Sequence, residues 1–269
     1  MKRFWTNASA VAVADGWGVT LDGKPVRTPA RSKLAVPTEA LAEAIAEEWN
    51  RVGARIEPRD LPLTGLANAA IDRVAPDREG FASGLANYAE GDLACYRAEG
   101  PAKLLARQEE KWDALLGWAR RRYDVDFCTT TGIVHVDQPA GTVERLAHAL
   151  AILDPFRLAG LAPLITIGGS LLAALAVLEQ ALTPAEAWEV VTVDDRWQLE
   201  QWGSDREAEE ALANRRSDFF VATRFLELLS YGGRPVPGRS PTDRVDAAGV
   251  DVPRQLSPVR QPGIFPCHR

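Results

Sequence analysis

Residues 183–210, TPAEAWEVVTVDDRWQLEQWGSDREAEE, decide the fold class of the larger part of this chain. Two segments in this stretch, 183–186 (TPAE) and 204–207 (SDRE), have the capping-box pattern that is typical of helix N-termini. Gly203 lies between them and predicts the end of the first helix. The stretch therefore predicts a helix over 184–202, a tight corner at Gly203, and a second helix over about 205–229.

Other segments beyond residue 77 are rich in alanine, leucine, glutamate and arginine, which favour helix. They predict further helices at 78–90, 101–123, 140–153, 155–166 and 169–182. Residues 127–136 differ because they are rich in β-branched side chains and include Gly132, and we expect them to be extended. The larger part of the chain is therefore expected to be all-helical.

The N-terminal part has a different pattern. Residues 10–36 alternate short apolar runs with Asp15-Gly16 and Asp22-Gly23, dipeptides that are typical of hairpin turns. They predict a small antiparallel sheet. Thr38 is then expected to cap a helix with one apolar face, and a second short helix is expected near 64–74. The apolar face of the first helix comprises Leu41, Ile45, Trp49 and Val52.

The predicted fold class is therefore α+β, with a small N-terminal antiparallel sheet and helix domain followed by a larger all-α domain. We expect the first domain to cover residues 1–75 and the second 76–231. Residues 232–269 are dense in glycine, proline and arginine and have no periodicity, which predicts a disordered tail.

Composition and charge limit the classes of partner. The chain has 269 residues and a formal net charge of -6, without the concentrated basic surface that nucleic-acid binding requires. Its three cysteines are far apart and lack the spacing of a disulfide framework or a zinc site. The first residues show no signal-peptide pattern. We therefore expect a cytoplasmic protein that does not bind nucleic acid.

One uncharged stretch, 158–178, approaches the ~20 residues that a membrane-spanning helix needs. Pro163 and the 168–170 Gly-Gly-Ser break divide it into two short pieces, and no basic cluster flanks it. We expect two buried helices with Gly168 and Gly169 at the joint, and no stable membrane insertion.

Patterns typical of catalysis are weak. Residues 18–24 begin like a phosphate-binding loop, but Pro25 replaces the required serine or threonine. The histidines have no metal-ligand spacing, Ser170 lacks a nucleophile-elbow frame, and Cys95 is expected to be a buried structural thiol. We therefore predict no catalytic residue, no cofactor and no metal.

The helix predicted over 184–202 carries two apolar stripes with acids among them. One stripe comprises Trp188, Val191, Leu199 and Trp202, and the other comprises Val190, Val193 and Trp197. Asp195 falls within the first stripe and Asp194 beside the second. In one interpretation a stripe belongs to the core and the acids pair with an arginine of a neighbouring helix. In the other, a stripe stays partly exposed as an aromatic docking surface edged by acids.

An enzyme is the alternative function: a soluble protein with an acid/base site between the domains, using Asp195 or Asp92. Asp194 and Glu200 are poorly placed as a catalytic pair, because six positions on a helix turn them about 120° apart. A structural adaptor that remains in a finished complex is a third possibility.

Four separated segments resemble the F1-ATP synthase assembly chaperones that bind the alpha subunit. They are AEEW at 46–49, GDLACYRAEGP at 91–101, RQEEKWDALLGWA at 107–119 and DDRWQLEQWG at 194–203. Their order and spacing match over about residues 3–229. The resemblance implies a mixed N-terminal domain, a helical C-terminal domain, and no catalysis or cofactor. It also implies that the protein holds the new alpha subunit until the beta subunit replaces it.

The resemblance further implies site residues. Asp194 matches an acid regarded as critical in the family, where glutamate is common, and Trp202-Gly203 match a tryptophan-glycine corner. The predicted partner-binding set is Asp194, Asp195, Gln198, Trp202, Gly203 and Trp49, with Asp194 ranked before Asp195. Other matching positions are expected to form a buried network between helices rather than to contact a client: Asp92, Tyr96, Arg97, Gln108, Trp112 and Asp113.

Overall fold

The computed structural model describes residues 2–203 and 206–230 and begins with a small antiparallel sheet, as predicted. Its strands are β1 (Ala8–Val13), β2 (Gly16–Leu21), β3 (Lys24–Pro25) and β4 (Ala35–Val36). The central strand β2 pairs with β1 along one edge and with both β3 and β4 along the other. The two Asp-Gly turns lie where the sequence places them, because Gly16 and Gly23 supply the positive φ that such turns need.

Helix α1 (Glu39–Arg51) packs on this sheet. The Thr38 hydroxyl oxygen accepts a hydrogen bond from the Leu41 amide, which confirms the predicted cap. Leu41 and Ile45 are fully buried. Helix α2 (Pro62–Ala69) follows and continues into a π-helical turn over Ala70–Val74, so the second predicted helix is also present.

The rest of the described chain is mainly helical. Its helices are α3 (Arg78–Ala86), α4 (Ala102–Gln108), α5 (Ala114–Tyr123), α6 (Ala140–Ala151), α7 (Pro155–Gly168), α8 (Leu171–Leu178), α9 (Pro184–Val191), α10 (Val193–Trp202) and α11 (Arg206–Ser230). A π-helical turn over Glu109–Asp113 joins α4 to α5. The α+β fold class is therefore confirmed.

The helix predicted over 184–202 is in fact two helices. Thr183 and Glu186 form the predicted capping box at the start of α9. The break comes at Thr192, whose hydroxyl donates to the Trp188 carbonyl at 2.5 Å and whose φ and ψ, -117° and 21°, leave the helical region. A threonine that bonds back to the preceding turn commonly bends a helix, and β-branched neighbours favour the break. The second predicted capping box includes residues 204 and 205, which lie outside the described residues, as does the predicted tail.

The uncharged stretch 158–178 forms α7 and α8, both largely buried, with Gly169 at the joint in a left-handed conformation (φ 64°). The prediction of two buried helices is confirmed. Within the described part of the chain, no helix is long and apolar enough to cross a membrane.

The extended segment predicted over 127–136 is mostly a loop. Only Thr130–Thr131 forms a strand, β6, which pairs in parallel with β5 (Tyr96–Arg97). The reason is a side chain: Gln138 accepts from the Cys128 amide at 3.0 Å and donates to the Cys128 carbonyl at 2.9 Å. The side chain of Gln138 thus takes the place of the backbone partners that Cys128 would have had in a sheet.

Helix α11 connects the helical part to the N-terminal part. At the crossing with α7, a Cβ on Gly160 would lie 2.6 Å from a Leu226 methyl carbon, so the two helices approach closely. Next to this crossing, close to the C-terminal end of α11, the Leu228 carbonyl accepts a hydrogen bond from the Thr38 hydroxyl at 2.8 Å. The domain boundary near residue 75 stays a prediction, and α11 contacts elements on both sides of it.

Candidate protein-binding groove

An open groove of about 630 Å³ lies beside α10. It is lined by residues from four segments, within 93–101, 104–112, 132–133 and 194–202. We call it the α10 groove. Three predicted partner-binding residues, Asp194, Gln198 and Trp202, line it together.

These three residues share one face of α10 because they are spaced four positions apart. Asp194 is half-buried at the start of the helix and Gln198 is exposed in the middle. Trp202 is 78% exposed at the end. Trp197 points inward instead and is 6% exposed, with the Arg107 guanidinium 5.0 Å from its ring centroid. The helix therefore anchors itself with one tryptophan and presents the other to water.

Gln108 holds Asp194 in place from the groove floor. Its side-chain amide donates to Asp194 Oδ1 at 2.7 Å, and its own Oε1 accepts from the Ala98 amide at 2.8 Å. Gln108 is 1% exposed, so this bridge between α4, α10 and the loop after β5 is inside the protein. Among the described residues, no lysine or arginine lies within salt-bridge distance of Asp194.

Asp195 has a different environment. It forms a salt bridge with Arg215 of α11 at 3.2 Å, and the same arginine donates to the Ile167 carbonyl at 3.3 Å. Asp195 does not line the groove. The two neighbouring acids therefore correspond to the two interpretations: Asp195 pairs with an arginine of a neighbouring helix, and Asp194 faces the groove.

The tryptophans differ as well. Trp188 is 3% exposed and its ring packs on Phe219 with centroids 5.3 Å apart. The predicted stripe from Trp188 to Trp202 is not one surface, because the break at Thr192 interrupts the helix that such a stripe requires. Of the three rings in this region, only Trp202 is exposed.

Trp49 lies elsewhere, on α1. Its ring packs edge-on against Trp5 at 5.1 Å, and its N–H donates to the Thr64 hydroxyl at 3.2 Å. It is half-buried, and α1 contributes no described residue to the groove. Trp49 is therefore the one residue of the predicted partner-binding set that the structure does not bring near α10.

Gly203, another residue of that set, directly follows Trp202 and ends α10. Its φ of 74° favours glycine.

The residues expected to form a network do contact other groups of this chain. Trp112 is 1% exposed and donates to the Val190 carbonyl at 2.9 Å, and the Arg97 guanidinium lies 5.2 Å from its ring centroid. Arg97 also pairs with Asp113 at 2.5 Å. Together with Gln108, these contacts hold the groove wall in position.

Asp92 is fully buried and caps α8. Its carboxylate accepts from the Ser170 hydroxyl at 2.9 Å and from the Ala94 and Leu172 amides, each at 3.0 Å. Burial raises the pKa of Asp92 to about 6, against the opposing effect of these hydrogen bonds.

Burial likewise raises the pKa of the Cys95 thiol to about 12. In the part of the chain that the structure describes, no cluster of three potential ligands could hold a metal ion.

Sequence reasoning misses one groove residue of particular interest. Ile133 is 99% exposed and lines the groove together with residues of α10, and its neighbour Val134 is 71% exposed. Both lie in the segment that the sequence predicts to be extended, where β-branched apolar side chains are common. No local pattern marks them, because their exposure depends on the loop that replaces the strand.

Comparisons with known proteins agree with this architecture. Residues 2–120 match the family model described as ATP12 chaperone protein. The mitochondrial Atp12 protein of Schizosaccharomyces pombe is 26% identical over 242 residues, covering 84% of this chain and 83% of the relative. The crystal structure of Atp12 from Paracoccus denitrificans has a TM-score of 0.81 and 39% identity, covering 85% of this chain and 98% of that chain. An aspartate-to-lysine mutant of the Paracoccus protein matches equally well, at 0.81 and 39%.

The relatedness extends over most of both chains in the solved Paracoccus structure, through the N-terminal sheet and the helical part alike. The identity and the coverage are both too high for a shared fold alone. The chain belongs to the ATP12 chaperone family, whose members are chaperones of F1-ATP synthase assembly.

Proposed function

We propose that this protein binds the unassembled alpha subunit of F1-ATP synthase at the α10 groove and shields its interface until the beta subunit replaces it. One observation carries the proposal: Asp194, Gln198 and Trp202 form a continuous face of α10 that lines the groove. Trp202 is the exposed ring of that face, and Asp194 has no described cation partner.

The energetics suit a temporary complex. An indole ring that becomes covered removes roughly 150–250 Å² from water, which at about 25 cal/mol per Å² is worth on the order of 4–6 kcal/mol before the costs of association. An acid at the edge of such a contact contributes orientation and rate of encounter more than affinity. Because the buried apolar area is limited, the beta subunit can later displace this protein from the alpha subunit.

The groove is the centre of the proposed interface rather than all of it. A stable protein interface covers about 800 Å² on each partner, which is more than a groove of this kind supplies. Neighbouring exposed surface of α10 and of the loop after β6 must therefore contribute. Hot-spot residues commonly lie at the centre of such an interface.

The proposal includes the absence of catalysis and of a cofactor. The two acids considered for an enzyme both serve the fold: Asp195 is paired with Arg215, and Asp92 is fully buried at the start of α8. A cytoplasmic location, expected from the cysteine spacing, is part of the same proposal. The Schizosaccharomyces pombe relative is mitochondrial.

The test is a binding titration of isolated alpha subunit with wild-type protein, followed by addition of beta subunit. We expect a complex that slows aggregation of the alpha subunit and that the beta subunit displaces. Trp202→Ala and Asp194→Lys should each weaken binding at least about tenfold, in line with the loss of an interface hot spot.

Two matched controls accompany these variants. Phe4→Ala removes another exposed aromatic ring, 68% exposed and outside the groove, and should leave binding unchanged. Asp195→Asn removes the neighbouring acid and should have less than about a twofold effect. Equal binding by wild type and both groove variants, all folded, would contradict the assigned site.

A further inference from the structure

The loop after β6 presents apolar side chains to water from an anchored backbone. The Gly132 amide donates to the Arg97 carbonyl at 2.8 Å, and the Tyr96 hydroxyl lies 3.1 Å from His135 Nδ1. Between these two anchors stand Ile133, 99% exposed, and Val134, 71% exposed. Large exposed aliphatic side chains on a held backbone are typical of a surface that another molecule covers.

This loop and α10 each contribute exposed side chains to the rim of the same groove. Ile133 and Trp202 both line it, and Asp194 lies with them. The groove therefore combines an aliphatic side chain, an indole ring and a carboxylate. A segment that enters the groove meets apolar side chains from two parts of the chain as well as an acid.

The charges of the groove favour a cation. Among the described residues that line it, the charged ones are Arg97, Glu99 and Asp194. Arg97 is neutralised by Asp113 at 2.5 Å, whereas neither acid has a salt bridge among the described residues. Two uncompensated carboxylates make the groove negative, and a complementary partner must carry positive charge.

We infer, building on the proposed function, that the groove receives a short apolar segment of the client that carries one lysine or arginine. The cation pairs with Asp194, and apolar side chains on either side of it contact Ile133 and Trp202. The groove volume of about 630 Å³ suits a few side chains, since pockets of about 300–1,000 Å³ hold ligands of that size. The loop residue Ile133 is thereby a second contact point for the client, independent of α10.

Photo-crosslinking from the groove rim tests this inference. p-Benzoylphenylalanine replaces Ile133 in one full-length variant and Trp202 in another, so that an apolar ring stands at each rim. Each variant is irradiated with isolated alpha subunit, and the crosslinked peptides are identified by mass spectrometry. The matched control carries the same residue at Ile152, which is 67% exposed at the end of α6 and outside the groove.

We expect both rim positions to crosslink to one segment of the alpha subunit, apolar with a lysine or arginine, and position 152 not to crosslink to it. Crosslinks to different segments, to a segment without a basic residue, or to this chain's own sequence would overturn the inference. An absence of rim crosslinks in variants that still bind the alpha subunit would overturn it too. If the wild-type protein does not hold the alpha subunit at all, the proposed function fails with it.

A charge exchange tests the role of Asp194. Glutamate in place of the client's basic residue should weaken binding to wild-type protein about tenfold, and Asp194→Lys should restore most of the loss. Ile133→Ser should weaken binding by a similar factor, while Ile152→Ser should not. If charge exchange gives no recovery although each single change weakens binding, the proposed pairing is wrong and the proposed function still stands.

Discussion

The neighbourhood of Trp49 on α1 and the α10 groove each combine an acid and a tryptophan of one helix, yet their environments are opposite. On α1, the Glu48 carboxylate accepts from the Leu63 amide at 2.7 Å and from the Thr64 amide and hydroxyl, each at 2.9 Å. The Trp49 N–H also donates to Thr64. In the groove, Asp194 has a single described donor and Trp202 is 78% exposed.

The difference separates groups that stabilise the fold from groups that remain available to a partner. Glu48 is 7% exposed and satisfies the free amides at the start of α2, so its interactions are already complete within the chain. Asp194 and Trp202 keep interaction capacity that folding does not use. Mutations at the first pair should therefore change stability, and mutations at the second should change binding.

The largest expected effect on stability is that of Glu48→Ala. It leaves the Leu63 and Thr64 amides without their acceptor inside the protein, which costs about 3 kcal/mol of the free energy of unfolding. Urea denaturation measures it. Glu47→Ala is the control. Glu47 is exposed, and its one salt bridge within the described residues is the surface pair with Arg51, so its loss should cost less than about 0.5 kcal/mol. Equal effects at the two positions would mean that the buried acid does no more for the fold than its exposed neighbour.

A comparable effect, which depends on pH, concerns the other fully satisfied acid, Asp92. Because burial raises its pKa from 3.8 to about 6, the folded state binds this proton more tightly than the unfolded state does. The contribution of Asp92 to stability is therefore complete below about pH 4 and declines as the pH rises to about 6, by on the order of 3 kcal/mol.

Denaturation of wild type and Asp92→Asn at several pH values isolates this contribution, since the other titrating groups are common to both proteins. The stability of wild type relative to the variant should fall between about pH 4 and about pH 6. A difference that stays constant over this range would show that the carboxylate titrates at its ordinary pKa in the folded protein.

The smallest expected change in stability is that of Trp202→Ala. The ring is mostly in water, so its removal should change the free energy of unfolding by less than about 0.5 kcal/mol, although it weakens client binding. Thermal denaturation provides the measurement. A loss above about 2 kcal/mol would place Trp202 with the residues that hold the fold together.

Local signals predict much of the fold. The Asp-Gly turns, the cap at Thr38, the capping box at Thr183 and the Gly169 joint all lie where the sequence places them. Each depends on a few adjacent residues whose backbone preferences or hydrogen bonds act within one turn. Such features need no information from distant parts of the chain.

The two elements that the sequence predicts wrongly depend on hydrogen bonds made by single side chains. The helix over 184–202 breaks because the Thr192 hydroxyl bonds to Trp188, and the strand over 127–136 is mostly a loop because Gln138 takes both backbone groups of Cys128. The periodicity of apolar residues in the sequence predicts neither of these hydrogen bonds.

The order of residues alone is enough to place Asp194, Asp195 and Trp202 on a helix that ends at Gly203, but it groups Trp202 with Asp195 and leaves Asp194 beside the other stripe. It is also enough for the α+β class, through turn and capping residues that act locally. The packing of the folded chain is what covers Trp197 and Trp188 while leaving Trp202 in water, and what gives an arginine partner to Asp195 rather than to Asp194. Burial and ion pairing depend on which distant element packs against a face, and helical periodicity contains no information about that.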